Sequence, residues 1–117
     1  MEELKVLNFE YEGKVYQIKF PNVGTFTLIE SLKQRLSAGT YSQMIGSLTE
    51  SAGTALDMID LEAYLSTLCP ELIADLEGVD SIRELSLFHF VKLKKAYDEQ
   101  FTAWWNKVLE TLKNPSK

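Results

Sequence analysis

The sequence predicts an α+β protein, predominantly α, with an N-terminal β-hairpin packed on a bundle of about four to five helices. Three observations lead there. Apolar residues alternate up to Phe20. From Leu28 onward they recur every three or four residues. Ser/Thr-x-x-Glu/Gln signatures, which cap helix starts, occur at Thr27, Thr40 and Ser81. At 117 residues the chain is expected to form a single domain over 1–117. A chain of that size buries roughly 65% of its unfolded surface, enough for a core without disulfides or metal.

The hairpin occupies residues 1–20. In VLNFEYEGKVYQIKF the arms pair about Glu12-Gly13, which sets Phe9 opposite Tyr16 and Leu7 opposite Ile18. Leu7, Phe9, Tyr11, Tyr16, Ile18 and Phe20 then share one face, with Asn8, Glu10, Gln17 and Lys19 on the other. A three-residue loop would mix the faces, so side-chain parity selects a loop of two or four residues. Glu12 disfavours the positive φ of a two-residue turn, which tips the expectation toward four. An isolated hairpin is marginal in water, so its apolar face must pack on the helices.

Two short helices are expected over 27–48. Pro21 ends the ribbon because it has no N–H to donate. Thr27 and Glu30 read as a capping box, Leu28, Ile29, Leu32 and Leu36 as one stripe, and Gly39 as the stop. A second box at Thr40 opens a short helix with Tyr41, Met44, Ile45 and Leu48. The Gly-, Ser- and Thr-rich residues 49–54 read as a loop. A broken helix follows over 55–77, with Thr54 as its cap and Leu56, Ile59, Ala63, Tyr64 and Leu68 at helical spacing. Cys69-Pro70 interrupts it, since proline suits a first helical turn.

The last helix, 81–113, runs without Gly or Pro from the Ser81 box to Asn114-Pro115. As one rod from Ile82 to Leu112 it would be about 46 Å long at ~1.5 Å per residue. That exceeds a compact domain of this length, roughly 35 Å across. Either this helix is long and overhangs, or it breaks; the place expected for a break is Tyr97–Thr102, where polar residues crowd and Thr102 can cap a new turn. Phe90, Tyr97, Phe101 and Val108 share one stripe, flanked by Trp104 and Trp105. Leu85 and Phe88 point away from it, so the helix is apolar on more than one side.

Composition excludes more than it assigns. The net charge of −5 and pI of about 4.9 argue against nucleic acid. No apolar run approaches the ~20 residues of a membrane span. The start MEELK lacks the basic-then-apolar pattern of a signal peptide. The single cysteine, Cys69, has no internal partner, which fits a reducing compartment. No glycine spacing matches a phosphate loop, and no ligand spacing matches a metal site, so no cofactor is expected. Asp57 and Asp60 fall on one helix face, where the helix dipole accounts for them better than acid–base work does. His89 reads as a packed helix residue and Cys69 as core filler. An enzyme subunit or ligand-binding module using His89, Cys69 or the Asp57/Asp60 pair is the alternative reading.

The alternating ribbon, then FPNVGTFTLIESLKQRLSAGTY, ALDMIDLEAYLSTLCPEL and AYDEQFTAWWNKVLETL, resembles small phage-encoded tail assembly chaperones and virion assembly proteins over most of the chain. The resemblance implies a non-enzymatic assembly protein that oligomerises or binds other phage proteins. It places the chain in host cytoplasm or on the virion. The resemblance has no fixed site motif, so no functional residue carries over from it. From the helix pattern, Trp105, Phe101, Leu85 and Phe88 are the candidate protein contacts, with Trp105 preferred and Trp104 assigned to the core. The expected partner is a protein, either a second copy or another phage component, and neither nucleic acid nor membrane.

Overall fold

The computed structural model describes residues 4–46, 50–76 and 82–113. The class is as expected: one two-stranded antiparallel ribbon, with helices making up most of the rest. Within the chain two compact units can be told apart. One combines Met1–Phe20 with Leu76–Lys117, and the other is Pro21–Asp75.

In the first unit, β1 (Val6–Tyr11) and β2 (Lys14–Lys19) pair with Phe9 opposite Tyr16 and Leu7 opposite Ile18. Phe9, Tyr11, Tyr16 and Ile18 are buried, whereas Asn8, Glu10, Gln17 and Lys19 are exposed. The turn has two residues, not four. Glu12 (φ 52°) and Gly13 (φ 78°) both take the left-handed region that such a turn requires. The Glu12 carboxylate pairs with the Lys92 ammonium at the surface. That hydrogen bond from Lys92 draws the Glu12 carboxyl below its usual range.

The ribbon's apolar face lies on the C-terminal helix. That helix does not begin at the Ser81 signal, and Ser81 itself lies outside the described residues. A 3-10 turn, Ile82–Glu84, comes first. The chain then breaks at Leu85, and Ser86 caps α5 (Leu87–Ala96) by accepting from the His89 N–H at 3.1 Å. No break occurs at Tyr97–Thr102. The helix widens there into a π-helical turn and continues as α6 (Ala103–Lys113). Polar residues signalled an irregularity, but Thr102 caps nothing. Phe90, Tyr97, Phe101 and Val108 form the buried stripe, joined by Leu93 and Trp104.

In the second unit, α1 (Val23–Leu36) starts four residues before the Thr27 box. Asn22 is the cap, accepting from the Thr25 N–H at 2.8 Å. Thr27 instead donates to the Val23 carbonyl inside the helix. The longer helix turns Leu28 outward (63% exposed) and buries Ile29 and Lys33. Ala38 (φ 53°) and Gly39 (φ 81°) end it, and the Gly39 N–H returns to the Gln34 carbonyl at 2.8 Å.

After Gly39, α2 (Tyr41–Ile45) is short, and its expected Leu48 lies outside the described residues. Residues 50–54, expected as loop, are the first turns of α3 (Glu50–Leu68), so Thr54 is not a cap. Context overrides the weak preferences of Ser, Gly and Thr. Of the expected stripe, Ala63 is fully buried, whereas Leu56, Ile59, Tyr64 and Leu68 are half-buried; among the described residues of α3, Leu61 and Leu65 join Ala63 as the most buried. Periodicity could not single out one face because α1, α2 and α4 all contact this helix. Proline restarts the chain as expected, giving α4 (Pro70–Asp75), whose Leu72 N–H bonds to the Cys69 carbonyl.

The register sets the cost of substitutions on the two faces of the ribbon. Phe9→Ala should cost about 3–5 kcal/mol, and Gln17→Ala under ~0.5 kcal/mol. Equal shifts of the two variants in urea unfolding would contradict the pairing.

Candidate functional site

The strongest surface feature of the first unit is at the start of α5. Leu87, Phe88 and Val91 are 68%, 93% and 65% exposed. Ser86 fixes the helix start, and the buried Phe90 and Leu93 turn the opposite side of the helix inward. Leu87 and Val91, four residues apart, are neighbours on the outer surface, and Phe88 stands beside them. Large apolar side chains grouped in this way usually mark contact sites. Lys92 and Lys95, also exposed, lie on the following turn.

The four expected contact residues separate. Phe88 is almost fully exposed, and Leu85 is half-buried. Phe101 is 2% exposed and belongs to the core rather than the surface. Its ring stacks on Tyr97 at 4.8 Å and on Trp105 at 5.7 Å. Trp105 is half-buried and stacks on Phe20 at 4.6 Å, so most of its ring already has a partner within the unit. Trp104 is buried, and its indole N–H donates to the Leu4 carbonyl at 2.7 Å. Next to these rings, Leu4, Lys5, Phe20, Val108 and Leu112 line a recess of about 130 Å³. That space suits one side chain; drug-sized ligands need ~300 Å³ or more. Leu87 and Val91 were not singled out in the sequence. The start of α5 at Ser86 was the signal that would have placed them.

The residues of the alternative reading have separate surroundings. His89, in the first unit, stacks on the Tyr11 ring at 6.3 Å. The Tyr11 hydroxyl is buried with no hydrogen-bond partner among the described residues, and burial raises its pKa. Cys69, in the second unit, is buried, which pushes its thiol pKa up rather than toward a reactive thiolate. Asp57 is exposed, and Asp60 accepts from the Tyr41 hydroxyl at 2.6 Å. Among the described residues, no three His, Cys, Asp or Glu side chains are grouped to hold a metal ion.

Asp60 leads to a cluster that the sequence did not reveal. The Lys33 ammonium, buried on α1, lies 2.9 Å from Glu30, 3.3 Å from the Tyr64 hydroxyl and 3.7 Å from Asp60. It also sits over the rings of Tyr64 (4.7 Å) and Tyr41 (5.4 Å). Burial alone would lower the Lys33 pKa, but the Glu30 carboxylate and the other partners outweigh it and raise the pKa. Tyr41 is pushed up to about 12, first by burial and then by its hydrogen bond to Asp60. The arrangement ties α1 and α2 to α3 and uses its polar atoms internally.

No family model, curated protein or solved structure matches this chain.

The Lys33 cluster makes stability fall at alkaline pH. Both Lys33 and Tyr41 have folded pKa values above their unfolded ones. Their contribution is therefore complete below pH ~10; the Tyr41 part is lost as pH rises toward about 12, and the Lys33 part at still higher pH. Thermal melts should show this decline, and Tyr41→Phe should remove a phenolate absorbance step near pH 12. A Tyr41 step at pH ~10 would contradict the geometry.

Proposed function

We propose that this chain is a non-enzymatic interaction protein that binds another protein through the first turns of α5. The exposed group of Leu87, Phe88 and Val91 carries the reading, because a 93%-exposed phenylalanine between two exposed aliphatic residues has little role within the unit itself. Aromatic side chains are enriched at protein interfaces, and hot spots cluster near the centre of such a patch, which makes Phe88 rather than its aliphatic neighbours the anchor. The finer reading, resting on the sequence resemblance, is a phage tail assembly chaperone or virion assembly component acting in host cytoplasm. Its partner is a second copy or another phage protein.

Phe88→Asp tests the contact without touching the core. The variant should keep the wild-type melting temperature, since Phe88 is exposed. It should weaken association by about 2 kcal/mol or more if Phe88 is a hot spot. Sedimentation reads self-association, and quantitative mass spectrometry of proteins retained from the native source reads other partners. A monomeric wild type whose retained proteins are the same as those of Phe88→Asp would refute the proposal.

A further inference from the structure

Two apolar features of the first unit match each other in size. The first is the ring of Phe88, 93% exposed at the start of α5. Among the described residues the other exposed aromatic side chain is Phe26, in the second unit. It is 40% exposed and takes part in interactions of its own. The second feature is the recess of about 130 Å³ beside α6. Leu4, Phe20, Val108 and Leu112 line it, and Lys5 contributes its methylene stem, so the wall is apolar.

Size and reach select the occupant. An apolar cavity of about 150 Å³ stays dry and takes up a benzene ring. The recess therefore accepts one phenyl side chain, and water, which needs polar partners, is a poor substitute. The ring cannot come from the same molecule. α5 and α6 run on through the π-helical turn, so Phe88 and Leu112 lie roughly 35 Å apart along the helix at ~1.5 Å per residue. No side chain spans that distance. We propose that Phe88 of one copy inserts into this recess on a second copy, head to tail. The pairing rests on the α5 patch being a contact surface, and it names the partner. Around the inserted ring, Leu87 and Val91 meet Trp105 and Leu109, which lie on the same side of α6 as Leu112.

Ring and recess are different surfaces, so the contact is heterologous. After one pairing, a ring remains at one end and a recess at the other. Assembly continues from those ends unless the rotation between copies closes a ring of molecules. One inserted aromatic side chain buries about 150–250 Å², far below the ~1,600 Å² of a stable complex. Each link is therefore weak, and association grows with protein concentration.

Sedimentation of the full chain over a range of concentrations, with two variants, tests the pairing. Phe88→Asp removes the ring, and Leu112→Glu puts a charge at the recess. Both positions are exposed, so both variants should keep the wild-type melting temperature. Each alone should self-associate about tenfold more weakly than wild type, or weaker still. Mixed in equal amounts they should form a one-to-one complex, because one supplies the recess and the other the ring. In methyl NMR, the Val108 and Leu112 signals of wild type should shift with protein concentration, and those of Phe88→Asp should not. If Leu112→Glu melts early, Leu112→Trp, which fills the recess, takes its place. A Leu112 variant that associates as well as wild type, or a mixture no larger than its parts, would overturn the pairing. So would a wild type that stays monomeric; if the proteins it retains from its source still depend on Phe88, the α5 contact stands and only the second copy is removed as its partner.

Discussion

A two-stranded ribbon cannot bury its own apolar face, and the first unit is organised around that constraint. Phe9 and Ile18 are fully buried, and a helix from the far end of the chain lies against β1. Burying side chains of this size contributes about 1.5–3 kcal/mol each. Three directional contacts fix the match. The Trp104 indole binds the Leu4 carbonyl, and the Gln100 amide binds Glu10 through both of its ends. Phe20, at the end of the ribbon, stacks on Trp105 and meets the edge of Trp104. The segment Pro21–Asp75 is therefore an insertion between two halves of one unit. Loop-closure entropy rises only ~0.6 kcal/mol per doubling of length, so such an insertion is tolerated.

Much of this was legible in the sequence where a pattern has one physical reading. Period two with aromatics on one face fixes the register of Phe9 and Tyr16, because a slip of one residue would turn those rings into water. Gly39 and Pro70 act through backbone properties that survive any context. The stripe of Phe90, Tyr97, Phe101 and Val108 appears because only one side of that helix meets the core. The misses have causes as well. Asn22 serves turns and caps through the same side-chain chemistry, so the sequence did not set it above the Thr27 box as the start of α1. Ser86 was overlooked because the Ser81 signature stood nearby.

The candidate site was harder to read. Composition shows that the last helix has surplus apolar residues, but not which of them the ribbon covers. Phe101 and Trp105 look like surface anchors until Phe20 and Tyr97 are placed beside them. Phe88 differs only in facing away from the ribbon. Lys33 and Gln100 were not legible at all. Each is an ordinary helix residue whose role depends on groups distant in sequence, Asp60 and Tyr64 for one and Glu10 for the other. Both show polar side chains bridging elements that hydrophobic periodicity can locate but cannot orient.

The ribbon and the C-terminal helix form one unit although the chain between them forms another. Native-state hydrogen exchange on wild type and Phe101→Ala tests it directly. Phe101 is buried in the helix, so its loss should lower amide protection there, and the inward-facing amides of Tyr16 and Ile18 should lose the same free energy. Protection in α3 should fall less. Ribbon amides that kept their wild-type protection while the helix alone weakened would show that the ribbon does not depend on the helix.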